Sequence, residues 1–80
     1  MLEPREYLPV LAALNATMNV INTTSDSTLF TRAHILYSEC LSFLQRKDVP
    51  VIFNEERACF VVDTLKIARR KAMLKAALQV

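Results

Sequence analysis

His34, Cys40 and Cys59 are the only histidine and the only cysteines of this 80-residue chain, so nucleophilic or metal chemistry would have to start from them. A Cys–His pair acts only when the two groups lie within hydrogen-bond reach. His34 and Cys40 are six residues apart, and on one helix that spacing points them in different directions. Without a Cys-x-x-Cys pair, the three side chains are at most dispersed zinc ligands. We therefore expect no metal site.

The sequence also lacks the residue patterns that acid–base catalysis and phosphate binding need. Glu55 and Glu56 are adjacent and face different directions, so we interpret them as first-turn residues of a helix and not as a catalytic pair. The chain contains no glycine, which excludes Gly-rich phosphate loops and dinucleotide fingerprints. We predict a protein that is not an enzyme, with no cofactor and no small-molecule substrate.

Composition predicts a single domain over residues 1–80 that binds a partner. Hydrophobic residues make up 52% of the sequence, although a chain this short buries only about 60% of the surface that it exposes when unfolded. Excess apolar surface on a small domain usually marks an interaction site. Two cysteines are too few for a disulfide scaffold, so we interpret them as buried thiols of a cytoplasmic protein.

A membrane location is not expected. Residues 7–25 carry no charge, but Asn15, Asn19 and Asn22 interrupt them. Their apolar part is shorter than the ~20 residues that a transmembrane helix needs. Residues 3–6, Glu-Pro-Arg-Glu, do not resemble the basic start of a signal peptide.

The elements that would position any functional side chain are helices. Apolar residues recur at spacings of three and four over residues 4–21 and again over residues 27–47, which predicts two amphipathic helices. Pro50 disfavours helical geometry at Val49, so residues 48–53 form an apolar connector, extended or a short strand, that covers the core. The lack of glycine disfavours tight two-residue hairpins.

A third helix is predicted from an Asn54 cap through Leu78. The fold class is therefore all-α: a three-helix, bundle-like domain with one apolar non-helical connector at about residues 48–53.

The third helix carries two apolar stripes on opposite sides, whereas a helix that is buried on one side needs only one. We assign the alanine-rich stripe to the intramolecular core; it consists of Ala58, Val61, Leu65, Ala68, Ala72 and Ala76. The opposite stripe is the candidate contact surface, and it consists of Phe60, Ile67, Leu74 and Leu78. Both stripes could also be covered within the chain.

Charge on the third helix is one-sided. From residue 64 onward there are five cations and no acid, whereas residues 1–63 carry five cations and eight acids, a net charge of −3. The five cations are Lys66, Arg69, Arg70, Lys71 and Lys75. Such a charge dipole suits an acidic protein partner or nucleic acid, although cations near a helix C-terminus are also favourable in plain solvent.

The leading hypothesis is a small adaptor, regulatory or chaperone-like protein that binds another protein, or itself, through this helix. Phe60, Ile67, Leu74 and Leu78 would anchor the partner, with Lys66, Arg69, Arg70 and Lys71 around them. The alternative is a nucleic-acid-associated regulator that uses the same basic residues. Sequence-specific reading by the start of this helix is disfavoured, since Glu55 and Glu56 there would repel phosphates.

Overall fold

Three helices and one β-hairpin make up residues 3–78, the part of the chain that the computed structural model describes. The elements are α1 (Pro4–Thr23), α2 (Ser27–Arg46), β1 (Val51–Asn54), β2 (Cys59–Val62) and α3 (Thr64–Leu78). The predicted three-helix, mainly helical class is confirmed, with the hairpin inserted between the second and third helices. Within residues 3–78, no helix is both long and apolar enough to cross a bilayer.

The core lies between α1 and α2. Residues 24–26 connect the two helices, and such a short connection folds the second helix back along the first. Asp26 caps α2, because its Oδ1 accepts hydrogen bonds from the N–H groups of Thr28 and Leu29 at 2.9 and 3.1 Å. Leu14 and Leu44 are fully buried between the helices. The other buried members of this cluster are Leu11 and Val49.

The connector is longer than predicted and contains the β-hairpin. β1 and β2 are antiparallel, with Val51 opposite Val62 and Asn54 opposite Cys59. Val49 is buried in the core cluster, so the start of the connector covers the core as expected. The non-helical segment, however, extends to Asp63 and does not end at Phe53.

Asn54 does not cap a helix, contrary to the sequence-based prediction. Its Oδ1 accepts a hydrogen bond from the N–H of Arg57 at 3.0 Å and closes the four-residue hairpin turn. Ala58 ends that turn in the left-handed region, at a φ of 53°. The capping role belongs to Asp63, whose Oδ1 accepts from the N–H of Lys66 at 3.0 Å. Helix three therefore begins nine residues later than predicted, because the Cys-Phe-Val-Val segment pairs as a strand, which suits β-branched and aromatic residues.

The side chain of Asn15 fastens the hairpin to α1. Its Nδ2 donates to the carbonyl of Phe60 at 3.0 Å, and its Oδ1 accepts from the N–H of Phe60 at 2.7 Å. One amide side chain thus bonds both backbone groups of a strand residue, as a neighbouring strand would. The hairpin is thereby held on one side of the α1–α2 pair.

Helix α3 leaves this body after its first two turns. Ile67 and Arg70 are half-buried, and every other residue of α3 is exposed. The molecule measures 57 Å along its longest axis against 25 and 18 Å along the others. The third helix therefore continues beyond the body and does not lie alongside α1 and α2.

Candidate protein-binding surface

The predicted contact residues do not form one helical stripe. Phe60 lies on β2 and packs against the core cluster. Its ring centroid is 6.2 Å from that of Tyr37 and 5.5 Å from that of Phe53. The prediction that Phe60 shares a helix face with Ile67 is therefore wrong, because the residue precedes the helix and its side chain belongs to the body.

The remaining three residues do share a face of α3. Ile67, Leu74 and Leu78 follow one another at spacings of seven and four, so at 3.6 residues per turn their side chains lie in one row. We call this row the α3 apolar face. Ile67 is half-buried against the body, whereas Leu74 is 65% and Leu78 is 87% exposed. The row therefore begins at the body and runs outward into solvent.

The alanine-rich stripe is also placed differently from the prediction. Its members on α3 are all exposed, including Leu65 at 70%. Those members are Leu65, Ala68, Ala72 and Ala76. The other two, Ala58 and Val61, lie in the hairpin. The assignment to the intramolecular core is wrong, since the body meets α3 on the side of Ile67 and nothing in residues 3–78 covers the opposite side.

One cation of α3 holds the helix to the body. The Nη1 of Arg70 lies 2.7 Å from the Oδ1 of Asp48 and also donates to the Asp48 carbonyl at 3.4 Å. Asp48 follows α2 directly after Lys47, so this contact ties the second turn of α3 to the end of α2. Arg70 is thus a positioning residue for the helix.

The other four cations of α3 make no ion pair within the described residues. They are Lys66, Arg69, Lys71 and Lys75. On a helix turning 100° per residue, Lys71 and Lys75 follow the α3 apolar face on one side, while Lys66 lies on the other. The exposed end of α3 therefore presents leucines with lysines beside them and no acidic residue.

The residues first considered for chemistry are dispersed. His34 is exposed, with its ring 5.9 Å from that of Phe30 and 6.3 Å from that of Tyr37. Burial, with a smaller contribution from the charge of Glu39, raises the pKa of the Cys40 thiol, which favours the protonated thiol over the reactive thiolate. Across residues 3–78, no three side chains of metal-binding type are grouped.

Glu55 and Glu56 lie in the hairpin turn, and not in the first turn of the third helix as predicted. Their acidic charge is therefore displaced from the α3 N-terminus to the tip of the hairpin.

Two further surfaces were missed by the sequence reasoning. An open groove of about 810 Å³ runs between α1 and α2, with Val10, Cys40 and Phe43 as its apolar lining. Beyond it, α2 exposes several large apolar residues: Leu29, Phe30, Ile35 and Leu36. The second surface is the backbone edge of β1, which carries the exposed side chains of Ile52 and Phe53. The broad apolar face of α2 in the sequence could have indicated the groove and the exposed residues beside it. No sequence signal marked the β1 edge, because the sequence-based prediction assigned its partner strand to a helix.

Comparisons of this chain with models of protein families, with characterised proteins and with solved structures find no match.

Proposed function

We propose that this chain is a small non-catalytic adaptor, regulatory or chaperone-like protein that binds a protein partner through the projecting end of α3. The observation that supports the proposal is the exposure of residues 71–78, a helical segment that carries Met73, Leu74 and Leu78 and in which every residue is exposed. Large apolar side chains left uncovered on a small domain are typical of interaction sites.

The energetics of an isolated helix favour the same conclusion. Helices shorter than about 12–15 residues are marginal in water without tertiary packing. Helix α3 has 15 residues, of which only the first two turns meet the body. It carries no acidic residue, so no Glu–Lys pairs at i,i+4 support it. A partner that covers Leu74 and Leu78 would supply the missing packing.

The charge on α3 indicates what kind of partner fits. Lys66, Arg69, Lys71 and Lys75 are exposed and make no ion pair within residues 3–78. A groove that is apolar at its centre and acidic at its rim complements a helix with leucines on one face and lysines beside them.

We assign the protein to the cytoplasm on the basis of its two cysteines, which are both free and half-buried.

Site-specific photo-cross-linking in cells tests this proposal. A photoreactive amino acid at Leu74 should give discrete cross-linked protein adducts, and the same group at Leu65 serves as the matched control on the opposite face of α3. In the same assay a Leu74→Glu substitution should abolish adducts formed from position 78, while Leu65→Glu should leave them. Adducts of equal yield from both faces, or none from either, would overturn the proposal.

Nucleic acid remains the second candidate, because four cations of α3 make no ion pair within the described residues. Phosphate contacts would make binding fall steeply as salt rises, whereas an apolar interface would respond little. The variant to test replaces Arg69, Lys71 and Lys75 by Gln and keeps Arg70, since Arg70 holds α3 to the body. Binding of this variant to a mixed-sequence duplex should fall by orders of magnitude if nucleic acid is the partner, and the Leu74 adducts should then be unaffected.

A further inference from the structure

The outward edge of β1 follows from the register of the hairpin. The N–H of Asp63 donates to the carbonyl of Pro50 at 2.9 Å, so these two residues form a hydrogen-bonded pair that continues the ladder. Hydrogen-bonded and non-hydrogen-bonded pairs alternate in an antiparallel sheet. Val51 opposite Val62 and Phe53 opposite Phe60 are therefore non-hydrogen-bonded pairs. The N–H and C=O groups of Val51 and Phe53 consequently point away from β2.

The two edges of this hairpin differ in whether their outward backbone groups are hydrogen-bonded. On the β2 side, Asn15 bonds both the N–H and the C=O of Phe60. On the β1 side, no hydrogen bond from residues 3–78 reaches the outward groups of Val51 or Phe53. The strand offers two donors and two acceptors in a row, and it carries none of the charged residues that usually protect a sheet edge. We call this row the β1 edge.

We propose that the β1 edge pairs antiparallel with the β1 edge of a second copy of this chain, about a two-fold axis at Ile52. In this register Val51 stands opposite Phe53 of the second copy, and Phe53 stands opposite its Val51. Each of these two pairs exchanges both hydrogen bonds, so all eight outward backbone groups are satisfied by four bonds. The result is a four-stranded antiparallel sheet across the dimer.

Side chains at the axis suit this arrangement. Ile52 is 52% exposed, and at a two-fold position in a non-hydrogen-bonded pair the two copies of Ile52 come within about 4.5–5.5 Å of each other at Cβ. Each would cover the other. Isologous pairing of this kind requires only a self-complementary surface, which an antiparallel strand edge is by construction.

Pro50 does not obstruct the new ladder. A proline is harmful in a sheet where its missing N–H should donate. In the proposed register Pro50 stands opposite Asn54 of the second copy, in a non-hydrogen-bonded pair. Its nitrogen is directed towards β2, where its own carbonyl already accepts from Asp63. The free edge is thus continuous from Pro50 to Asn54.

Charge does not oppose this pairing. The facing residues 50–54 of the two copies carry no charged side chain, so the paired strands bring no like charges opposite each other.

A four-residue strand pair is small beside the ~1,200–2,000 Å² that a stable interface buries. We therefore expect a weak, concentration-dependent dimer, with a dissociation constant in the high micromolar range. The inference concerns a surface other than α3 and does not depend on the function proposed for that helix.

Sedimentation equilibrium from low micromolar to millimolar concentration tests it. The chain should change from monomer to dimer over this range. Ile52→Lys and Ile52→Glu should each weaken dimerisation by at least about tenfold, because they place like charges directly opposite each other. An equimolar mixture of the two variants should restore the dimer, since the introduced charges then attract. Ile35→Lys is the matched control: Ile35 is an equally exposed isoleucine, on α2, and its substitution should change nothing.

Hydrogen exchange supplies a second, residue-specific measurement. The amide protons of Val51 and Phe53 should gain protection as the concentration rises, whereas Leu74→Glu should leave this gain intact. A monomer at millimolar concentration whose Phe53 amide still exchanges fast would overturn the proposal and leave the edge to an extended segment of another protein. Equal weakening by Ile35→Lys and Ile52→Lys, or a mixture that stays monomeric, would overturn it as well.

Discussion

The α1–α2 pair and α3 both carry apolar stripes, but the stripes of α1 and α2 are buried and those of α3 are exposed. Leu14 and Leu44 are completely buried between the first two helices, whereas no residue of α3 is buried. The difference lies in the connections. Three residues fold α2 back onto α1, while α3 follows a strand that Asn15 holds to α1, and the helix continues beyond the body. An apolar stripe shows that a helix face prefers to be covered; the preceding connection decides whether the same chain covers it.

The largest expected change in folding stability distinguishes the α1–α2 core from α3. Leu44→Ala should lower the free energy of unfolding by about 2–5 kcal/mol, because it opens a cavity in the core. Leu74→Ala should change it by less than about 0.5 kcal/mol, because Leu74 contacts solvent. Urea denaturation followed by circular dichroism measures both. A similar loss in the two variants would mean that α3 folds back onto the body in solution.

The next effect tests the link between the body and the hairpin. Asn15→Ala removes two hydrogen bonds and leaves the N–H and C=O of Phe60 unpaired, which should cost about 1–3 kcal/mol. Asn19→Ala is the control, since Asn19 is an exposed residue of the same helix. Urea denaturation and the exchange rate of the Phe60 amide are the measurements. Equal stability of the two variants would show that packing alone holds the hairpin.

A smaller effect of opposite sign is expected at the hairpin turn. Ala58 has a φ of 53°, a region in which a Cβ costs about 1–2 kcal/mol. Ala58→Gly should therefore raise the free energy of unfolding by up to about 1 kcal/mol, after allowance for the greater freedom of glycine in the unfolded chain. Ala12→Gly, in the middle of α1, should lower it by about 1 kcal/mol. Thermal denaturation of the pair gives the sign, and destabilisation by Ala58→Gly would contradict the turn geometry.

The smallest effect concerns the contact that holds α3 to the body. Asp48→Asn weakens the ion pair with Arg70, and because the Asp48 side chain is 71% exposed the loss of global stability should stay within about 1 kcal/mol. The amides of the first two turns of α3 should nevertheless exchange faster. Glu3→Gln breaks the ion pair between Glu3 and Arg5, the other one found within residues 3–78, and should leave these amides unchanged. If both variants behave alike, the Arg70 contact does not position α3.

Much of the helical framework could be predicted from the sequence, because each helix has a clear local signal. The spacing of apolar residues placed the first two helices within two residues of their observed ends, and Pro50 correctly ended helical structure before the connector. The start of α3 could not be found in this way. Cys59, Phe60 and Val61 fit a helical spacing as well as a strand, and no glycine marks the turn that separates the strands.

The candidate site was only partly predictable for the same reason. The sequence-based surface includes Leu74 and Leu78, which are exposed on one face of α3; their role in binding stays a prediction. It also includes Phe60, which belongs to the body. Once residues 54–62 were assigned to a helix, β1 had no partner strand, and its free edge could not be considered. The left-handed conformation of Ala58 is set by the hairpin as a whole and has no local sequence signal.

The two hydrogen bonds of Asn15 also bear on the order of folding. They join residues 45 positions apart, whereas α1 and α2 are joined by only three residues. Closing the longer loop costs more chain entropy before any contact is gained. The α1–α2 pair should therefore form early and the hairpin should dock onto it late, on the native side of the main barrier. Asn15→Ala should accordingly leave the refolding rate nearly unchanged, and its loss of stability should appear as a faster unfolding rate.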